Sequence, residues 1–154
     1  MLRIALASLH LIALGIGLGA IYARARSLNK IDASSDSLPR AFAADTWWAV
    51  ASVVWIVTGL WRALAGTEKT PSYYWQNHVF LTKMGFLVFI LAFELWPMVT
   101  LIRWRAAVAK NVLPPLTELS ATGRRIARIS DVQTLLLIAM VVAAVMMARG
   151  YGAR

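Results

Sequence analysis

The sequence contains no cysteine. This absence excludes disulfide bridges, thiolate metal sites and a covalently attached c-type haem. Charge is also scarce, since only 15% of the 154 residues are Asp, Glu, Lys or Arg, against about 25% in an ordinary soluble domain. Motifs of soluble enzymes are missing too: there is no HExxH, no Walker loop and no nucleotide-binding glycine fingerprint. Any chemistry is therefore expected inside a bundle of apolar helices.

Apolar sequence is what the chain has in abundance. It is 60% hydrophobic, with a mean hydropathy of +0.65. Four runs approach the length of roughly 20 apolar residues that a membrane-spanning helix needs; they cover about residues 2–22, 44–65, 79–102 and 132–148. The sequence predicts an all-α fold, an integral membrane four-helix bundle in one domain over residues 1–154. Residues 23–43 and 103–131 are expected to be loops, the second with a short amphipathic helix after Pro114 and Pro115.

Basic residues predict the orientation, because Lys and Arg accumulate in cytoplasmic loops. One side of the predicted membrane carries Arg24, Arg26, Lys30, Arg40, Arg103, Arg105, Lys110, Arg124, Arg125 and Arg128. The other side carries Arg3, Arg62, Lys69, Arg149 and Arg154. We therefore expect both loops to be cytoplasmic, both termini to be periplasmic, and the main partner to be the lipid bilayer. A nucleic-acid partner is not expected, because the positive charge lies beside apolar runs rather than on a soluble basic face.

Two charged residues interrupt the third apolar run. Lys83 and Glu94 are eleven residues apart, which places them within roughly 20° of one helix face and about 16 Å apart along it. They are too far apart to pair, so each needs a partner from another helix. For Glu94 the structural interpretation is an ion pair with Arg24 or Arg103. For Lys83 it is an ammonium that reaches the nearby membrane surface.

His10 is the second informative position, about 12 Å along the first run and too deep for the membrane surface. A neutral imidazole there either makes a hydrogen bond inside the bundle or ligates a metal or a haem. Gly17 is nearly on the same face, and Gly15 and Gly19 form a GxxxG motif that is typical of close helix packing. With both termini outside, His10 and Lys83 would lie in the same leaflet at similar depth. His78, at the start of the third run, is expected to be solvated.

The opposite leaflet is expected to hold a buried charge network. Its members on the acidic side are Asp45, Glu94 and Asp131, and Arg26 and Arg103 are among the basic residues that compensate them. We interpret this network as structural, with a proton path as the alternative.

In order and spacing, these residues resemble those of a known group of membrane proteins. His10 and Arg26 in the first span, Gly59-Leu60-Trp61 at the end of the second, Lys83 early in the third and Asp131 before the last are similar to the core of HemJ-type protoporphyrinogen oxidases and CopD-like proteins. A nearer resemblance is to a bacterial membrane-protein family of unknown function with LHLIALGIGLGA- and EKTPSYYWQN-type stretches. The chain lacks the tryptophans of the HemJ-type first span, and its second external loop differs. Haem binding is therefore the better supported expectation, and oxidase activity need not accompany it.

The resemblance implies a bacterial inner-membrane protein that binds haem b, with His10 as the iron ligand and Lys83 as its catalytic partner. Gly17 and Gly59 would provide a flat slot, and Arg3, Arg62 or Lys83 a cation for the propionates. A porphyrin substrate or a respiratory-chain electron acceptor is implied as partner. The alternatives are a non-enzymatic scaffold or a small-ion or proton permeation protein without cofactor, and a copper-handling protein. A homo-oligomer is also expected, since four spans form only a small bundle.

Overall fold

The computed structural model describes residues 1–31, 36–65 and 71–152, and the regular elements in these ranges are all α-helices. In chain order they are α1 (Leu2–Leu28), α2 (Ser37–Leu64), α3 (Pro71–Gln76), α4 (His78–Ala109) and α5 (Leu116–Ala148). Four of them, α1, α2, α4 and α5, are long and apolar enough to cross a membrane. The predicted all-α fold with four apolar spans is confirmed. Lys69 and Arg154, which entered the charge comparison, lie outside the described residues.

Local chemistry explains where the long helices begin and end. The Asn77 side chain accepts a hydrogen bond from the backbone N–H of Phe80 at 3.1 Å and so caps the start of α4. At its other end, Asn111 has a left-handed backbone with φ 55°, a conformation that asparagine tolerates better than most residues. Pro115 then precedes α5 in an extended conformation. These residues turn the chain between two antiparallel helices.

The predicted helices were too short at the arginine-rich end of the bundle. The segment 23–43 is not a long loop, because α1 continues to Leu28 and α2 begins at Ser37. The segment 103–131 is also mostly helical: its amphipathic part is the beginning of α5 rather than a separate helix. An apolar run measures the part of a helix that lies in hydrocarbon, but a helix of 33 residues is about 50 Å long and exceeds a core of about 30 Å.

The added turns are stabilised by a core of their own. One buried apolar cluster holds Ala25, Leu28, Leu101, Trp104 and Ile126 at the arginine-rich end. A second cluster lies further along the bundle and is built from all four long helices, with Ile21, Trp48, Trp55, Ile90, Leu137 and Met140 among its members. Polar residues lie between the two clusters: Arg24, Asp45, Ser130 and Gln133 are buried there on α1, α2 and α5, and the half-buried Glu94 lies there on α4.

The outer surface is apolar, most extensively on α4. Phe89, Phe93 and Trp96 of this helix are each more than 40% exposed. In water such a surface would be an aggregation site, but in a bilayer it faces acyl chains. The helix packs mainly against α5, while α1 packs against both α2 and α5.

Candidate functional site

A cavity lies at the end of the bundle where α1 begins and α2 ends. It has a volume of about 410 Å³, which is within the range of small-molecule sites. A smaller compartment of about 50 Å³ adjoins it and shares several lining residues, His10, Lys83 and Met140 among them. Most lining side chains are apolar, and they come from every described helix.

His10 is held on one edge by the backbone of α2. Its Nδ1 lies 3.0 Å from the carbonyl oxygen of Trp55 and 3.0 Å from the Thr58 hydroxyl. Because a carbonyl oxygen only accepts, this pattern assigns the proton to Nδ1 and the lone pair to Nε2. The Thr58 hydroxyl donates to the Val54 carbonyl at 2.7 Å, so its oxygen is oriented to accept from the imidazole. Many metal-ligating histidines are oriented in the same way, by a hydrogen bond from the ring nitrogen that does not bind the metal.

Two further residues of α2 shape the space around the imidazole. Trp55 stacks on it, with ring centroids 5.9 Å apart and planes inclined by 28°. Gly59 lies against the ring edge, where a β-carbon would come within 2.9 Å of His10 Cε1. The buried indole Nε1 of Trp55 has no hydrogen-bond acceptor among the described residues. Most buried N–H groups are paired, so this indole is a candidate donor to a bound ligand or a water.

The structure brings most of the expected cofactor residues to this cavity. His10, Gly59, Arg62 and Lys83 all line it. Gly17 does not: a β-carbon there would lie 3.3 Å from the Trp48 ring, so this glycine serves the packing of α1 on α2. The expectation that Gly17 forms a flat slot with Gly59 was wrong. Gly17 follows His10 by seven residues, which is about 10 Å along α1, whereas Gly59 lies beside the His10 ring.

The opposite half of the bundle holds a polar cluster around a fully buried arginine. The Arg24 guanidinium donates to Asp45 at 2.9 Å, to both Glu94 oxygens at 2.6 and 2.8 Å, and to Ser130 and Gln133 at 3.1 Å each. These five bonds use every N–H that the side chain has. They join α1 to α2, α4 and α5.

A second arginine completes this cluster, which we call the Arg24 cluster. Arg105 donates to the other Asp45 oxygen at 2.9 Å and to the Phe42 carbonyl at 2.7 Å. The Gln133 amide donates to Glu94 at 2.9 Å. Two cations and two anions leave the cluster formally neutral. A neutral, hydrogen-bonded group is the form in which charges are tolerated in a low-dielectric interior.

The predicted charge network is therefore only partly correct. Asp45 and Glu94 belong to the Arg24 cluster, but Arg103 is exposed on α4. Arg26 and Asp131 pair with each other at 3.1 Å, with side chains 49% and 43% exposed. They form a surface ion pair rather than part of a buried network.

Helical spacing could have identified the right arginines. At 100° per residue, Arg105 returns to within roughly 20° of the Glu94 face, while Arg103 lies on the opposite face. By the same measure Arg24 is about 40° from the His10 face and Arg26 about 160° from it. Charge and depth alone do not distinguish these arginines, whereas their rotation about the helix axis does.

The two remaining expectations concern surface positions. His78 is exposed at the start of α4, as a solvated residue should be. Gly15 and Gly19 are exposed on α1, and nothing lies within 4 Å of their β-carbon positions. Among the described residues no other helix approaches these β-carbon positions, and the homo-oligomer stays a prediction.

These features define a class: a helical membrane protein with four long spans, a polar cluster in one half and a histidine-lined cavity in the other. The chain belongs to the family described as predicted membrane protein (DUF2214), which it matches over residues 2–152. The expected membership of a membrane-protein family of unknown function is thus confirmed. No curated protein matches the chain, and no solved structure does. A relation to HemJ-type or CopD-like proteins is not established by these comparisons.

Proposed function

We propose that this protein binds haem b in the membrane, with His10 as an iron ligand, and that it takes part in electron transfer. The observation that carries the proposal is the anchoring of His10. Its Nδ1 is bound to the Trp55 carbonyl and the Thr58 hydroxyl, so the ring is oriented and Nε2 carries the lone pair that would ligate iron. The imidazole lines a cavity of about 410 Å³ with apolar walls.

The donor set around this cavity fits the group. A b-type haem needs an axial nitrogen or sulfur ligand, apolar walls for the macrocycle and polar groups for the propionates. His10 provides the first, and the side chains of Leu14, Phe80 and Val145 are among the walls. Arg62 provides a cation, and the buried Trp55 N–H provides a donor that lacks an acceptor among the described residues. When bound, the haem supplies one-electron redox chemistry.

Lys83 is the residue that we assign to catalysis. It lines the same cavity as His10 but comes from α4, and it is half-buried. Its ammonium can hold or donate a proton at Nζ beside the redox centre. A porphyrin substrate or a respiratory-chain acceptor, as the HemJ resemblance implies, would exchange electrons there. The unequal distribution of Lys and Arg between the two ends of the bundle supports a location in a bacterial inner membrane with both termini in the periplasm.

An absorption spectrum of the protein purified from haem-replete cells tests the proposal. We expect a Soret band that is absent from His10→Ala and present in His78→Ala, the exposed control. Thermal unfolding of both variants distinguishes loss of the ligand from loss of the fold. A colourless wild-type protein overturns the haem assignment.

Copper handling is a second candidate, because three methionines line the compartments that His10 lines. Met140 and Met147 line the larger cavity, and Met84 and Met140 line the smaller one. Thioether sulfur and imidazole nitrogen suit Cu(I). Metal analysis of the same preparation separates the two candidates, since copper without a Soret band favours the second.

A cofactor-free scaffold is the remaining alternative. The Arg24 cluster favours it over a permeation route, because every Arg24 N–H is bound and the four helices are joined there. If the purified protein lacks both haem and copper and still unfolds cooperatively, the scaffold function is favoured.

A further inference from the structure

We propose that Met140 would ligate the haem iron together with His10, since both side chains line the same two compartments. This inference rests on the proposed haem site and names the partner that completes its ligation. The thioether of Met140 comes from α5, whereas the imidazole comes from α1. The two helices pack against each other in the bundle.

Met140 belongs to the core around the cavity rather than to its rim. Its side chain is 2% exposed, and it is a member of the apolar cluster that includes Trp55 and Leu137. Trp55 in turn stacks on His10. The sulfur atom is therefore shielded from lipid and from water, and the surrounding side chains restrict its movement.

The two compartments of the cavity single out this methionine. Met147 lines only the larger compartment and Met84 only the smaller one. Met140 lines both, as do His10 and Trp55. Of the three methionines, Met140 is therefore the one that shares both compartments with His10.

The chemistry of the thioether also favours it over the lysine at the same cavity. Methionine is neutral and ligates iron without losing a proton. Lysine ligates only as a neutral amine, and an ammonium loses its charge to do so. Met140 as ligand leaves the Lys83 proton available for the role proposed above. Ligation by Met140 would also raise the reduction potential of the haem, as methionine does in other proteins with histidine and methionine ligation.

The experiment compares Met140→Leu with the matched controls Met84→Leu and Met147→Leu, all purified with the haem that the wild type carries. We expect wild type and controls to be low-spin, with the weak sulfur-to-iron charge-transfer band at the red end of the visible spectrum. In Met140→Leu this band should disappear, the ferric haem should become high-spin, and added carbon monoxide should bind the ferrous form faster.

Met140→His keeps the test decisive if Met140→Leu loses its haem. An imidazole at this position should restore a low-spin haem of lower reduction potential without the sulfur band. An unchanged spectrum and potential in both Met140 variants overturns the inference while leaving the proposed haem site intact. A wild-type protein without a Soret band instead refutes the proposed function on which the inference rests.

Discussion

Gly59 lies against the imidazole of His10 so closely that a β-carbon would approach Cε1 to 2.9 Å. The two residues come from different helices, and the hydrogen bonds of His10 Nδ1 to Trp55 and Thr58 hold the ring in this position. The glycine is therefore part of the histidine site, because a larger residue and the observed imidazole cannot occupy the same space.

A methyl group at Gly59 should displace His10. We expect Gly59→Ala to break the Nδ1 hydrogen bonds and to cost about 1–3 kcal/mol, as overpacking of a core does. Thermal unfolding in detergent measures this loss, and the absorption spectrum reports any change in bound haem. The matched control is Gly15→Ala, since nothing lies within 4 Å of a β-carbon at Gly15. Equal unfolding temperatures for the two variants would contradict the close contact.

Arg24 should be the most sensitive charged residue of the bundle. Arg24→Gln leaves Asp45 and Glu94 with only Arg105 to balance them, and breaking a buried ion pair costs about 3–5 kcal/mol. Unfolding in increasing dodecyl sulfate provides the comparison. The double variant Arg24→Gln/Glu94→Gln should recover part of the loss, because it restores neutrality.

Arg26→Gln is the control for this experiment. It removes the ion pair with Asp131, whose side chains are nearly half exposed, and such surface pairs contribute about 0–1 kcal/mol. If Arg24→Gln and Arg26→Gln unfold alike, the Arg24 cluster does not stabilise the fold in the way its hydrogen bonds indicate.

Lys83→Met should leave the fold and the haem content unchanged but lower the reduction potential. A unit charge about 10 Å from a redox centre contributes roughly 1.7 kcal/mol at an effective dielectric constant of about 20, on the order of 70 mV for one electron. Loss of a cation favours the ferric state, so the potential falls. Redox titration checks this, with Thr82→Val as the exposed neighbour control. A potential and turnover equal to those of the wild type would make Lys83 a membrane-surface residue only.

The proposed orientation can be tested with single cysteines, because the chain has none of its own. Gln76→Cys and Thr117→Cys introduce thiols at exposed positions on opposite ends of the bundle. A membrane-impermeant maleimide should label Gln76→Cys in intact cells after permeabilisation of the outer membrane. Thr117→Cys should react only after lysis. The reverse pattern would place both termini in the cytoplasm.

The sequence predicted the class of fold because the relevant physics is local. A run of about 20 apolar residues can satisfy its backbone in hydrocarbon only as a helix, and four such runs were present. Depth along each helix also follows from the sequence, since each residue adds about 1.5 Å. For this reason His10, Gly59, Arg62 and Lys83 were expected at one end, and they line one cavity there.

Rotation and packing required the folded chain. Arg103 and Arg105 differ by two residues and have the same charge, yet only Arg105 binds Asp45, because the Glu94 face of α4 turns inward. Gly17 and Gly59 looked alike as small residues, but one packs on Trp48 and the other on His10. Met140 carried no signal in the sequence, and the packing of α5 brings it to the same cavity. Composition and helical rise are properties of a single segment, whereas the inward face of a helix depends on the neighbours it packs against.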